Sequence, residues 1–240
     1  MPGSLKSEAI VLRGIRYGEA DRILHLYTPD RGRLSAIAKG VRRAKSRFGG
    51  RLEPFFRLNL ILYEGRSDLL TVTSAETLAG HPRLREHAAA LDSAARACDA
   101  VSRLFGDGEP HSGVYHLLAN ELALLDREPE RATRANALAF RLKLLLAAGF
   151  APHLATCASC GEQEHLVGFS GAAGGVVCSS CEAGSFALDQ DGHDFMVAAL
   201  GRPLAEAPDA PPRALAQAER AILETLEHHA HVRLRGVGAR

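Results

Sequence analysis

Four of the five cysteines form two Cys-x-x-Cys pairs, Cys157 with Cys160 and Cys178 with Cys181, separated by seventeen residues. Each such turn brings two sulfurs within reach of one ion, and zinc is commonly held by four thiolates in a tetrahedron. A catalytic zinc must keep one position open for water or substrate. The spacing therefore predicts one structural Zn²⁺ per chain, with a pair of disulfides as the alternative.

The seventeen residues between the two pairs, 161–177, are rich in glycine and poor in apolar side chains. Such a loop cannot bury enough apolar surface to order itself, so its order is expected to come from the bound ion. The sequence thus predicts a zinc module at about residues 155–184.

A run of thirteen residues carries six cations and no carboxylate: Lys39, Arg42, Arg43, Lys45, Arg47 and Arg51. Glycines within it let a backbone come close to phosphates, and Phe48 offers one face for stacking. The sequence predicts a flexible basic loop that holds nucleic acid by its phosphates, without reading base sequence. A merely solvated loop is the alternative.

The charge distribution points the same way, although the formal net charge is only +1. Residues 1–80 contain fourteen Lys and Arg against eight Asp and Glu, whereas the remaining 160 residues carry fifteen against twenty. A basic first part and an acidic second part indicate that the first part meets a polyanion.

Catalytic and membrane signatures are missing from the sequence. It contains no Gly-x-x-x-x-Gly-Lys-Ser/Thr, His-Glu-x-x-His or Gly-x-Ser-x-Gly motif. No apolar run approaches the ~18 to 20 residues of a membrane helix, and charges occupy the place of a signal peptide's apolar stretch. We therefore expect a cytoplasmic protein that is not an enzyme.

Three smaller features have ordinary structural interpretations. Cys98 lies on the apolar stripe of a helix and is predicted to be buried. His228 and His231 could share a ligand, but exposure near a helix C-terminus is the favoured interpretation. The cluster of Asp189, Asp191, His193 and Asp194 is best explained by a helix N-terminal cap.

Five short segments rich in Ile, Val, Leu and Tyr predict strands at residues 10–17, 23–28, 33–39, 57–63 and 69–73. Turn-like breaks at residues 29–32 and 65–68 separate some of them. Five strands in about seventy residues favour a small barrel of the oligonucleotide-binding (OB) type, with an SH3-like barrel or half a sandwich as alternatives.

After Pro82 the apolar residues recur with helical spacing. They predict three helices before Pro152 and two more, at residues 187–200 and 211–231. The fold class is therefore α+β and multidomain: an OB barrel at residues 1–80, followed by a helical domain at 81–240 with an inserted four-cysteine zinc knuckle.

Several segments of both predicted domains carry a resemblance to one known protein family. In the first domain these are residues 17–23 (YGEADRI), 38–47 (AKGVRRAKSR) and 52–55 (LEPF). In the second they are residues 140–145 (FRLKLL), 149–152 (GFAP), 157–161 (CASCG), 169–170 (FS) and 174–178 (GGVVC) with Cys181. In order and spacing these segments resemble the RecO family of bacterial DNA repair proteins, and the similarity is looser after Leu226.

The resemblance implies a non-enzymatic recombination mediator associated with the bacterial nucleoid. Such proteins bind single- and double-stranded DNA, anneal complementary strands, associate with RecR, engage the acidic tail of single-strand binding protein and help to load RecA. By this similarity the six cations between Lys39 and Arg51 would hold the DNA backbone.

An acidic tail with an apolar end needs an apolar and cationic site, for which Phe140, Arg141 and Lys143 are candidates. A solvent-facing helix edge is the alternative for these three residues. Two other hypotheses concern the whole chain: a zinc-bearing protein-interaction adaptor whose basic domain meets acidic partners, and a metal-dependent nuclease.

Overall fold

The computed structural model describes residues 3–65 and 69–237. Its first five strands form a closed barrel in the order β1-β2-β3-β5-β4. Their bounds are β1 (Ser4–Tyr17), β2 (Asp21–Thr28), β3 (Gly32–Ala38), β4 (Arg57–Tyr63) and β5 (Leu70–Ala79). The long β1 pairs with both β2 and β4, and β3 meets β5 in parallel. The predicted OB-like fold class is confirmed.

Alternation along the strands determines which side chains fill the barrel. Leu58, Leu60 and Leu62 of β4 are buried, whereas Ile61 between them is exposed, as the period of two predicts. Strand β5 continues to Ala79, six residues beyond its predicted end. Part of the predicted turn at residues 65–68 lies outside the described residues.

Three helices follow the barrel: α1 (Pro82–Glu86), α2 (Ala88–Leu104) and α3 (Ser112–Arg127). The first of the three helices that the sequence predicts before Pro152 covers residues 84–105, which reach across both α1 and α2, but His87 is extended and separates the two. Together with the barrel, these helices make up one compact unit, Met1–Pro129. Within that unit the Tyr115 hydroxyl of α3 donates to the Glu8 carboxylate of β1, which also pairs with Arg57.

The second compact unit, Glu130–Arg240, combines helices with a small sheet. It contains α4 (Arg134–Ala147), β6 (Leu166–Ser170), β7 (Gly175–Cys178), β8 (Phe186–Ala187), α5 (Gln190–Gly201) and α6 (Pro212–Thr225). A single π-helical turn, Leu226–Ala230, follows α6. The division between the two units falls between residues 129 and 130. The domain boundary at residue 80, where the strands end, stays a prediction from the sequence.

Among the described residues, no helix has both the length and the apolarity needed to span a bilayer. The predicted cap of α5 is confirmed for Asp189, whose carboxylate accepts a hydrogen bond of 2.9 Å from the Gly192 amide. Cys98 is buried as predicted, and its burial raises the pKa of the thiol.

Candidate functional site

The residues from Lys39 to Arg51, called here the basic segment, connect β3 to β4. All six of its cationic side chains are exposed. None of them forms an ion pair with a carboxylate in the part of the chain that the structure describes. Their charge is therefore available to an anion from solution.

The backbone of the basic segment is ordered by a series of overlapping turns. Amides donate to carbonyls three residues earlier, from Arg43 to Gly40 at 3.2 Å and from Ser46 to Arg43 at 3.0 Å. The same spacing recurs from Gly49 to Ser46 and from Arg51 to Phe48. The segment is therefore built from hydrogen-bonded turns, and backbone order of this kind lowers the entropy lost when its cations bind an anion.

The β1–β2 hairpin anchors the start of the basic segment. The Asp21 carboxylate accepts a hydrogen bond of 2.7 Å from the Gly40 amide, and the Ala20 carbonyl accepts one of 2.9 Å from the Arg42 amide. Gly40 has a φ of +67°, which favours glycine. The sequence showed these residues as part of a family pattern, but it gave no signal that the hairpin and the segment touch.

Phe48 does not offer a stacking face, so that prediction is wrong. The side chain is 2% exposed and belongs to the core of the barrel together with Leu52. The Arg47 guanidinium lies 4.7 Å from the centre of its ring, and Arg51 donates to the Phe48 carbonyl at 2.9 Å. Phe48 therefore fixes the segment to the barrel, and the Arg47 guanidinium lies over its ring.

We expect Phe48→Ala to lower the free energy of unfolding by about 3 to 5 kcal/mol, because it removes a large ring from a packed core. The more conservative Phe48→Leu should cost about 1 kcal/mol. Urea denaturation followed by circular dichroism measures both. Equal stability of wild type and Phe48→Ala would show that the ring does not hold the segment in place.

The four paired cysteines come together in the second unit. Their sulfurs all lie within 4.8 Å of one another, and Cys160 Sγ is 3.7 Å from Cys178 Sγ. Four thiolates about 2.3 Å from a common centre would be separated by about 3.8 Å, whereas a disulfide requires about 2.05 Å. All four are free thiols. The geometry therefore fits a tetrahedral metal site and not a pair of disulfides.

Backbone amides stabilise the thiolate form of one of these cysteines, which is the form that binds a metal ion. Hydrogen bonds from the amides of Cys178, Cys160 and Ser159 lower the pKa of Cys157 to about 6. Contacts with the sulfurs of Cys160 and Cys178 raise the pKa of Cys181 to about 12. A group of thiols that cannot all ionise together favours a positive ion in its centre, because metal binding replaces their protons.

The segment between the cysteine pairs, whose order the sequence predicts to come from the bound ion, contains regular structure. It forms the antiparallel pair β6–β7, and Phe169 of β6 packs against Phe186 of β8 with ring centroids 5.7 Å apart. A Cβ at Gly175 would lie 2.3 Å from the His153 carbonyl, so this glycine permits a close backbone contact. The module therefore has an apolar core of its own besides the four cysteines.

The candidate docking residues lie mostly in the interior. Phe140 and Arg141 of α4 are 2% and 4% exposed, and Arg141 donates to the Arg235 carbonyl at 2.6 Å. Lys143 is half-buried and donates to the Leu200 carbonyl at 3.1 Å. The interpretation as a solvent-facing helix edge is therefore wrong for Phe140 and Arg141. Their burial also means that an acidic tail could not reach them from the surface.

The histidines after α6 are not part of a metal cluster. His228 and His231 are exposed, while His229 hydrogen-bonds the Gly171 carbonyl at 2.8 Å. Of the described residues, only the four cysteines bring three or more metal-donor side chains together. The chain's candidate sites are thus the basic segment in the first unit and the four-cysteine centre in the second.

Comparison with known proteins covers both units. Residues 1–81 match the family model "Recombination protein O N terminal", and residues 85–236 match "Recombination protein O C terminal". The DNA repair protein RecO of Rubrobacter xylanophilus is 40% identical over an alignment of 243 positions, which covers 98% of this chain and 93% of that protein. That of Anaeromyxobacter sp. strain K is 37% identical, over 96% and 93% of the two chains.

Proposed function

Because the chain belongs to the RecO family of DNA repair proteins, we propose that it is a recombination mediator that holds DNA by its phosphates. The observation that carries the proposal is the basic segment: six exposed cations on an ordered backbone, without carboxylate partners among the described residues. Contacts of this kind act through charge and position, so binding should be independent of base sequence.

Annealing follows from such binding without covalent chemistry. A protein that grips single strands by their phosphates keeps two strands close while their bases search for partners. Base pairing then supplies the free energy, so the proposed mediator needs neither nucleotide hydrolysis nor a catalytic group. The protein is therefore proposed to be non-enzymatic.

The four-cysteine centre is proposed to hold one Zn²⁺ through Cys157, Cys160, Cys178 and Cys181. Four thiolates leave no open position for water or substrate. The ion would serve as a structural link that joins the turn at Cys157 to strand β7 and the turn after it. The donor set and the sulfur separation support zinc over the harder cations, which prefer oxygen ligands.

The partners follow from family membership. We propose that the chain binds single- and double-stranded DNA, works with RecR, meets the acidic tail of single-strand binding protein and thereby helps RecA to load. We also propose that the protein is cytoplasmic and associates with the nucleoid. The site of the acidic tail is not assigned, because Phe140 and Arg141 are buried.

The annealing of complementary strands coated with single-strand binding protein tests the proposal. We expect the wild-type chain to accelerate annealing without any nucleotide, and a variant with Arg42, Arg43 and Lys45 replaced by Gln to lose most of this acceleration. A labelled strand in the same mixture with Mg²⁺ or Mn²⁺ should stay uncut. No acceleration by the wild type would favour the adaptor hypothesis, and a cut strand would favour the nuclease.

A further inference from the structure

The outer face of the barrel carries an isoleucine stripe across three neighbouring strands. Ile15 of β1 pairs with Ile23 of β2, and Ile23 pairs with Ile37 of β3. The inward-facing neighbours Leu24 and Ala36 are fully buried, so the isoleucines point outward. Ile15 is 42% exposed, and the other two are partly exposed. Three β-branched side chains thus form an apolar strip open to solvent.

Tyr17 extends this stripe towards the basic segment. It lies two residues after Ile15 on the same face of β1, and its side chain is 54% exposed. Its partner across the hairpin is Asp21, the residue whose carboxylate holds the Gly40 amide. An exposed aromatic ring is therefore placed beside the anchored end of the cationic run.

The side of the stripe that faces away from the basic segment is polar as well and carries a cation. Arg13, His25 and Ser35 form the next row in register, and His25 contacts Arg13 at 3.3 Å and Ser35 at 3.1 Å. Burial and the positive charges of Arg13 and Arg33 lower the pKa of His25. The stripe thus runs between Arg13 on one side and the basic segment on the other.

We infer that Tyr17 and the isoleucine stripe form a platform for unpaired nucleobases of single-stranded DNA. This inference rests on the proposed function and deepens it. An apolar strip between two cationic borders complements a polymer whose bases have apolar faces and whose backbone is anionic. Duplex DNA keeps its base faces stacked inside, so the platform would add affinity for single strands alone.

A second exposed tyrosine on the same barrel supplies a matched control. Tyr63 at the end of β4 is 44% exposed, and the next residue is the carboxylate Glu64. It is separated from Ile37 by β5, because Tyr63 pairs with Thr71 and Thr71 pairs with Ile37. Because Tyr63 lies beside a carboxylate and apart from the three isoleucines, Tyr63→Ala should weaken DNA binding far less than Tyr17→Ala does.

The test compares a thymidine oligonucleotide with an abasic strand of equal length, which keeps the phosphates and lacks the bases. Tyr17→Ala should weaken binding of the thymidine strand on the order of ten-fold, since stacking on an aromatic ring contributes that much per base. Binding of the abasic strand and of duplex DNA should not change. Tyr17→Phe, which keeps the ring, should retain wild-type affinity.

Fluorescence gives an independent readout because the chain contains no tryptophan. In Tyr17→Trp the single indole should be quenched by the thymidine strand and not by the abasic strand. Equal wild-type affinity for the two strands, or equal losses in Tyr17→Ala and Tyr63→Ala, would overturn the inference while leaving phosphate binding intact. Failure of the wild type to bind either strand would instead overturn the proposed function.

Discussion

Replacement of Cys157 or Cys181 by serine is expected to abolish metal binding and to open the module around residues 155–184. Wild-type protein should contain about one zinc per chain. The sulfurs of all four cysteines lie within 4.8 Å of one another, and a serine hydroxyl cannot replace a thiolate as a ligand at neutral pH. Structural zinc contributes about 10 to 16 kcal/mol to the folding of small zinc modules, which makes this the largest effect we expect.

Elemental analysis and hydrogen exchange together measure this effect. Cys98→Ala is the matched control, because this fifth cysteine is buried in α2, outside the site, and the variant should keep its metal. Faster exchange should be confined to the module, and strands β6 and β7 should retain part of their protection through Phe169 and Phe186. Absence of metal from freshly purified, fully reduced wild-type protein would contradict the zinc assignment.

Reversal of three charges, Arg42→Glu, Arg43→Glu and Lys45→Glu together, is expected to weaken single-strand binding about 100-fold at about 0.1 M salt. For single strands each phosphate contact changes log affinity by about 0.7 per decade of salt, or about fivefold per contact at that concentration. Arg47 and Arg51 are left unchanged because their guanidiniums also bond to backbone carbonyls.

The control for this variant is a second triple reversal with the same change in net charge. Arg103, Arg127 and Arg202 are exposed and lie outside the basic segment, and their replacement by Glu should change affinity far less. Circular dichroism should show that both variants are folded, since all six side chains lie at the surface. An unchanged affinity after charge reversal within the basic segment would show that this segment is not part of the DNA site.

The features that could be predicted from the sequence are those that depend on local periodicity or on fixed ligand geometry. The alternation of Leu58, Leu60 and Leu62 predicts a strand with one buried face, and the structure confirms it. The spacing of the four cysteines likewise predicts their convergence, because a Cys-x-x-Cys turn positions two sulfurs by itself.

The features that the sequence did not reveal depend on contacts between distant residues. Phe48 stands in a polar, glycine-containing run, and only the closed barrel shows that its ring completes the core. Arg141 looked exposed because it is charged, yet α4 is buried on most of its surface and the guanidinium reaches a carbonyl 94 residues away. The link between Asp21 and Gly40 is of the same kind, since it joins the start of β2 to the turn after β3.

The salt dependence of single-strand affinity tests the central claim most directly, because it counts the phosphates that the protein neutralises. A plot of log affinity against log salt should have a slope of about −3 for the wild type, which corresponds to about four contacts. The triple reversal at Arg42, Arg43 and Lys45 should reduce it to about −1. Equal slopes for the two proteins would contradict the account.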